Sequence, residues 1–73
     1  MTTVRKYITT EYGRTELDIK DIGTAIEEIV RLTNTPGIEV ETDSPIENEY
    51  SVYCYDYRSI VHPVTMIYII KEE

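Results

Sequence analysis

Six carboxylates, Glu39, Glu41, Asp43, Glu47, Glu49 and Asp56, fall between Arg31 and Arg58, a stretch that holds no lysine or arginine. The first three alternate with Ile38, Val40 and Thr42. As a strand, this segment projects its acids from one face about 6.6 Å apart. A regular row of negative charge answers a basic surface. Carboxylates repeating along a strand can imitate backbone phosphates, so the natural target is the basic groove of a nucleic-acid-binding protein. A calcium loop is not the reading, because Glu39-Val40-Glu41-Thr42-Asp43 lacks the Asp-rich spacing, central glycine and closing glutamate of an EF-hand. The plain alternative is a solvated strand face followed by a polar loop, since exposed Glu and Asp are ordinary.

Cys54 and His62 are the only residues of their kinds and invite a nucleophile–base reading. Alternation along the strand around Cys54 places it on the core side, however, and His62 precedes Pro63 in a turn. A buried structural thiol and a loop histidine are expected. One Cys and one His cannot build a zinc site alone, and no cofactor or metal is implied. Tyr53, Tyr55 and Tyr57 alternate with Cys54 and Asp56. They could stack bases, but single-strand platforms come with lysines and arginines, and here only Arg58 is adjacent. No phosphate loop, dinucleotide motif or nucleophile elbow is present, and no convergent acid, base and nucleophile can be assembled. The chain therefore reads as a non-enzyme.

The elements that must position these residues follow from periodicity. Ile22, Ala25, Ile26, Ile29, Val30 and Thr33 recur at helical spacing, with Glu27, Glu28 and Arg31 on the other side. Asp18 or Asp21 can cap the start. Asn34-Thr35-Pro36-Gly37 stops the helix, predicted at about residues 20–34. Val4 to Thr10 reads as a strand, Gly13 as a turn, and Arg14 to Ile19 as a short returning strand. Ile38 to Asp43, Tyr50 to Tyr57 and Val64 to Lys71 complete the set. The order ββαβββ predicts an α+β fold: a mostly antiparallel sheet with one helix on one face.

Centring the last hairpin between Ile60 and Val61 pairs residues whose numbers sum to 121. Val52, Cys54 and Asp56 then share a face with Ile69, Ile67 and Thr65, and Tyr53, Tyr55 and Tyr57 share the other with Tyr68, Met66 and Val64. Ile22, Ile26, Ile29, Val52, Ile67 and Ile69 form the expected core. The tyrosines, Met66 and the carboxylates of the third strand are left on an uncovered face, which reads as an interface.

The 73 residues bound one small domain, residues 1–73, whose core is marginal without support from a metal, a disulfide or a second subunit. A homodimer through Tyr53, Tyr55, Tyr57, Met66 and Tyr68 is the expected support. Fourteen acids against seven bases give a net charge of −7. That balance argues against direct binding to nucleic acid or an anionic membrane and favours a basic protein partner. The first six residues carry charge with no apolar run behind it, so no signal peptide is expected. Met66 to Ile70 is too short to span a membrane. An unpaired thiol points to a reducing compartment, and the expected location is the cytoplasm, in the style of a bacterial or phage-like protein. The leading expectation is an acidic protein-binding regulator or inhibitor, of the nucleic-acid-mimic kind, docking through Glu39, Glu41, Asp43, Glu47 and Glu49. The competing one is a ligand-binding or enzyme-accessory domain with a tyrosine-lined pocket at a dimer seam, and a third is a subunit of a larger assembly.

Overall fold

A computed structural model describes residues 1–18 and 21–72. Its elements are β1 (Thr2–Thr10), β2 (Gly13–Asp18), α1 (Ile22–Thr33), β3 (Ile38–Ile46), β4 (Glu49–Asp56) and β5 (Val64–Glu72). All strands join one antiparallel sheet in the order β2-β1-β5-β4-β3, with α1 packed across one face. The predicted α+β architecture and the order ββαβββ are therefore present. The predicted second strand and helix each extend one residue, Ile19 and Lys20, beyond the described residues.

The helix is closed at both ends by side chains. Asp21 Oδ1 accepts from the Gly23 amide at 2.7 Å and the Thr24 amide at 3.4 Å, and Asp21 Oδ2 accepts from the Thr24 hydroxyl. These bonds hold the Asp21 carboxyl below its ordinary range, led by the one from the Thr24 hydroxyl. At the other end Thr33 Oγ1, Asn34 Nδ2 and Thr35 Oγ1 donate to the carbonyls of Ile29, Val30 and Arg31. Of the carbonyls a helix end otherwise leaves open, that of Arg31 is satisfied by the Thr35 hydroxyl, and those of Val30 and Leu32 also accept from the Asn34 and Thr35 amides at 3.2 and 3.1 Å. Gly37 then turns the chain at φ 89°, and its carbonyl accepts from the Tyr57 amide at 2.8 Å.

Only part of the predicted helix face points inward. Ala25 is fully buried, Ile22, Ile29 and Leu32 pack beside it, and Ile26 is 51% exposed. The expectation of a buried Ile26 is thus corrected. A wide apolar arc has more residues than a helix resting on a sheet can cover, and the smallest residue takes the closest approach.

The β4–β5 register also differs from the predicted one. Tyr53 pairs with Ile67, Cys54 with Met66 and Val52 with Tyr68, so paired numbers sum to 120. The connection after Asp56 runs over seven residues to Val64, and an odd loop shifts the pairing by one. The shift turns β5 over relative to β4. Tyr68 and Met66 lie under the helix with Val4, Val52, Cys54, Ile38 and Val40. Ile67 and Ile69 belong to the open face. Ile67 is still buried there, so the expectation was right about its burial and wrong about its side.

Candidate acidic and aromatic sheet face

The open face is built by alternation. β3 contributes Glu39, Glu41 and Asp43, which pair with Tyr55, Tyr53 and Ser51 of β4. Ile38, Val40 and Thr42 take the helix side because Ile38 and Val40 join the core. All three acids are exposed. Beside them Tyr53 and Tyr55 lie with ring centroids 6.4 Å apart and planes 11° from parallel, and Tyr55 and Tyr57 follow at 6.3 Å and 17°. That spacing is the two-residue repeat of the strand, so the backbone sets the ladder. Tyr57 lies past the end of β4, but its amide bond to Gly37 keeps the chain extended and its ring in line.

The acids and tyrosines act on one another. Burial by its neighbours and then the Glu41 carboxylate hold the Tyr55 hydroxyl above its ordinary range. Tyr55 therefore keeps its proton, and the ladder presents ring faces beside carboxylates.

The other sequence-predicted acids are placed differently. Asp56 is engaged by Arg58, with Nε 2.9 Å and Nη2 2.7 Å from its two oxygens, and these bonds hold its carboxyl below the ordinary range. Glu49 sits opposite Lys71 of β5. Glu47 lies in the β3–β4 turn. Glu39, Glu41 and Asp43 form the row, and Glu47 and Glu49 lie toward the hairpin end of it.

The rest of the open face is of opposite character. Arg5 and Tyr7 of β1, Arg14 of β2 and Lys71 of β5 share it with Glu16, Ile67 and Ile69. The Arg14 guanidinium lies 5.4 Å from the Tyr7 ring centroid. A shallow depression of about 690 Å³ opens here, lined by Thr3, Arg5, Tyr7, Glu16, Ile69, Lys71 and neighbouring residues. It contains none of Tyr53, Tyr55 or Tyr57.

Met66 and Tyr68, expected on the tyrosine side, are absent from it because of the register. Tyr68 is fully buried, and its hydroxyl donates to Glu28 Oε1 at 2.8 Å. Lys6 Nζ donates to the same oxygen at 2.6 Å and lies 5.1 Å from the Tyr68 ring centroid. This interior trio was missed because Glu28 had been assigned to the outer side of the helix. Burial pushes the Glu28 carboxyl up, but the bonds from Lys6 and Tyr68 with the charges of Lys6 and Arg31 outweigh it, and the net shift is downward.

Cys54 and His62 are not brought together. Cys54 is buried under the helix, where burial pushes its thiol up. His62 is exposed in the β4–β5 loop, with Nδ1 2.7 Å from Glu11 Oε1. Among the described residues no three His, Cys, Asp or Glu side chains converge as metal ligands, and no helix is long and apolar enough to cross a membrane. The same end of the sheet carries Tyr12, Ile60 and Val61, all strongly exposed. Comparison with protein-family models, curated proteins and solved structures finds no match to this chain.

Proposed function

We propose that this chain is a small non-catalytic binding protein that docks a basic protein through its open sheet face and regulates or inhibits that partner by occupying its nucleic-acid-binding groove. The observation that supports this reading is the juxtaposition of Glu39, Glu41 and Asp43 with the ladder Tyr53, Tyr55 and Tyr57 on one exposed surface. Carboxylates and neutral aromatic faces side by side suit arginine, whose guanidinium can pair with the first and stack on the second. An anionic row also steers a basic partner into encounter, so association should fall steeply with salt.

The test is capture on immobilised protein from a lysate of the source cell at low and high salt. Wild type is compared with the triple variant Glu39→Lys/Glu41→Lys/Asp43→Lys. The reading expects a basic nucleic-acid-binding protein retained by wild type at low salt and lost by the triple variant. Equal capture by both would reduce the row to a solvated face. A second reading, a small-ligand site, draws support from the depression beside Arg5, Tyr7 and Lys71 rather than from the tyrosine ladder. It expects thermal stabilisation by a ligand with weak salt dependence.

A further inference from the structure

We infer that β2 is a self-pairing edge, and that two copies of this chain join their sheets through it in one register, centred on Thr15. The two edges of the sheet are unlike. β3 carries Glu39, Glu41 and Asp43 along one face, its pairing is irregular between Asp43 and Ile46, and Pro45 removes a donor. Charged side chains, irregular pairing and proline are devices that blunt an edge. β2 is paired without irregularity and holds no proline, and its charges Arg14 and Glu16 are opposite in sign, so they can complement a second copy rather than repel it. Gly13 to Leu17 are all exposed.

The hydrogen-bond phase of β2 selects its partner. Thr10 and Gly13 close a two-residue loop and so exchange both backbone bonds. Ile8 with Thr15 and Lys6 with Leu17 repeat that pattern. Arg14 and Glu16 therefore turn their N–H and C=O groups away from β1, toward the open edge. An added antiparallel strand must bond through those groups. In a two-fold pairing about Thr15, Arg14 meets Glu16 of the second copy, and Glu16 meets its Arg14. The outward-bonding residues of both copies then face each other, as a ladder requires, and two opposite-charge pairs form on the open face. Gly13 meets Leu17 of the second copy on the helix side, leaving room for the leucine. A slide of one position turns the bonding groups out of phase, and a slide of two, which moves the two-fold centre by one residue, sets Arg14 against Arg14 or Glu16 against Glu16. The position of the Arg14 guanidinium over Tyr7 already holds that side chain on the face where the pairs would form.

The product is a ten-stranded sheet whose two-fold axis is perpendicular to it, so both acidic rows point to the same side. The pairing does not depend on the docking function proposed above. Its interface lies at the far edge from the tyrosines, which relocates the expected dimer contact.

The test is sedimentation equilibrium of wild type, Arg14→Glu, Glu16→Arg and an equimolar mixture of the two variants, with circular dichroism confirming that each is folded. Wild type is expected to dimerise, each single reversal to weaken self-association about ten-fold or more, and the mixture to restore it. Concentration-dependent protection of the Arg14 and Glu16 amides from hydrogen exchange is expected alongside. A monomeric wild type with both amides exchanging freely would overturn the proposal. So would a wild-type dimer whose strength neither reversal changes, which would place the contact elsewhere. Should a single variant fail to fold, the exchange measurement on wild type decides.

Discussion

Replacing Glu28 with alanine tests the polar contact between helix and sheet in the interior of this fold. The Glu28 carboxylate accepts from two groups through one oxygen, Lys6 Nζ at 2.6 Å and the Tyr68 hydroxyl at 2.8 Å. Tyr68 is fully buried, and the Lys6 and Glu28 side chains are 14% and 25% exposed. Without the acceptor, the Tyr68 hydroxyl is left unsatisfied at about 1–3 kcal/mol. The ammonium loses its partner as well, at a cost below the 3–5 kcal/mol of a fully buried pair because the lysine can reach water. The sum, about 2–4 kcal/mol, is a large share of the stability of a domain this small. Urea denaturation should show the midpoint falling by about 2 M or more, given a slope near 1 kcal/mol/M. Glu28→Gln should cost less, since it keeps an acceptor for Tyr68. The pH dependence has a definite sign. The folded-state Glu28 carboxyl titrates below its ordinary value of 4.5. Its contribution is therefore complete above about pH 5 and is lost as pH falls through the folded-state value. Wild type should lose its advantage over Glu28→Gln on that acid limb. A Glu28→Ala midpoint equal to wild type would refute the interior placement of Glu28.

Three further outcomes follow from the packing. Ile26→Ala should cost under about 1 kcal/mol because half of the side chain is exposed, whereas Ala25→Leu should cost about 1–3 kcal/mol by overpacking the closest helix–sheet approach; urea midpoints compare them. Gly37→Ala should destabilise by about 1–2 kcal/mol through its left-handed backbone, and its new Cβ would also lie 2.8 Å from Arg58 Cγ; thermal unfolding reads this. Cys54 should resist a thiol reagent in the folded protein and react at the rate of a free cysteine in urea, because burial both shields the thiol and raises its titration.

Backbone alternation was the most legible part of the fold. It separates Ile38 and Val40 from Glu39 and Glu41, and Cys54 from Tyr53 and Tyr55, without knowledge of any partner strand. The acidic and aromatic halves of the candidate surface could therefore be assembled from residue order alone. Register was less legible, because it depends on the length and path of the β4–β5 connection. Centring the turn between Ile60 and Val61 puts Ile67 and Ile69 on the face of Val52 and Cys54, under the helix. The fold puts Tyr68 there instead, since its hydroxyl finds Glu28 and a buried polar group with a partner costs little. Glu28 was misplaced for a related reason: a charged residue on an amphipathic helix is read as outward unless its partner, here Lys6 at a distance of 22 residues in sequence, is seen. The basic half of the open face was missed because β1 had not been resolved into its two sides.

The most direct measurement of the docking claim is an amide NMR titration of the protein with a short arginine-rich peptide at low and high salt. Glu39, Glu41, Asp43, Tyr53 and Tyr55 should shift together at low salt and much less at high salt, while exposed acids elsewhere, such as Glu11, Glu27 and Glu72, stay nearly still. Shifts spread evenly over all exposed carboxylates, or none along β3 and β4, would contradict a built docking face and leave the acidic row as ordinary solvated surface.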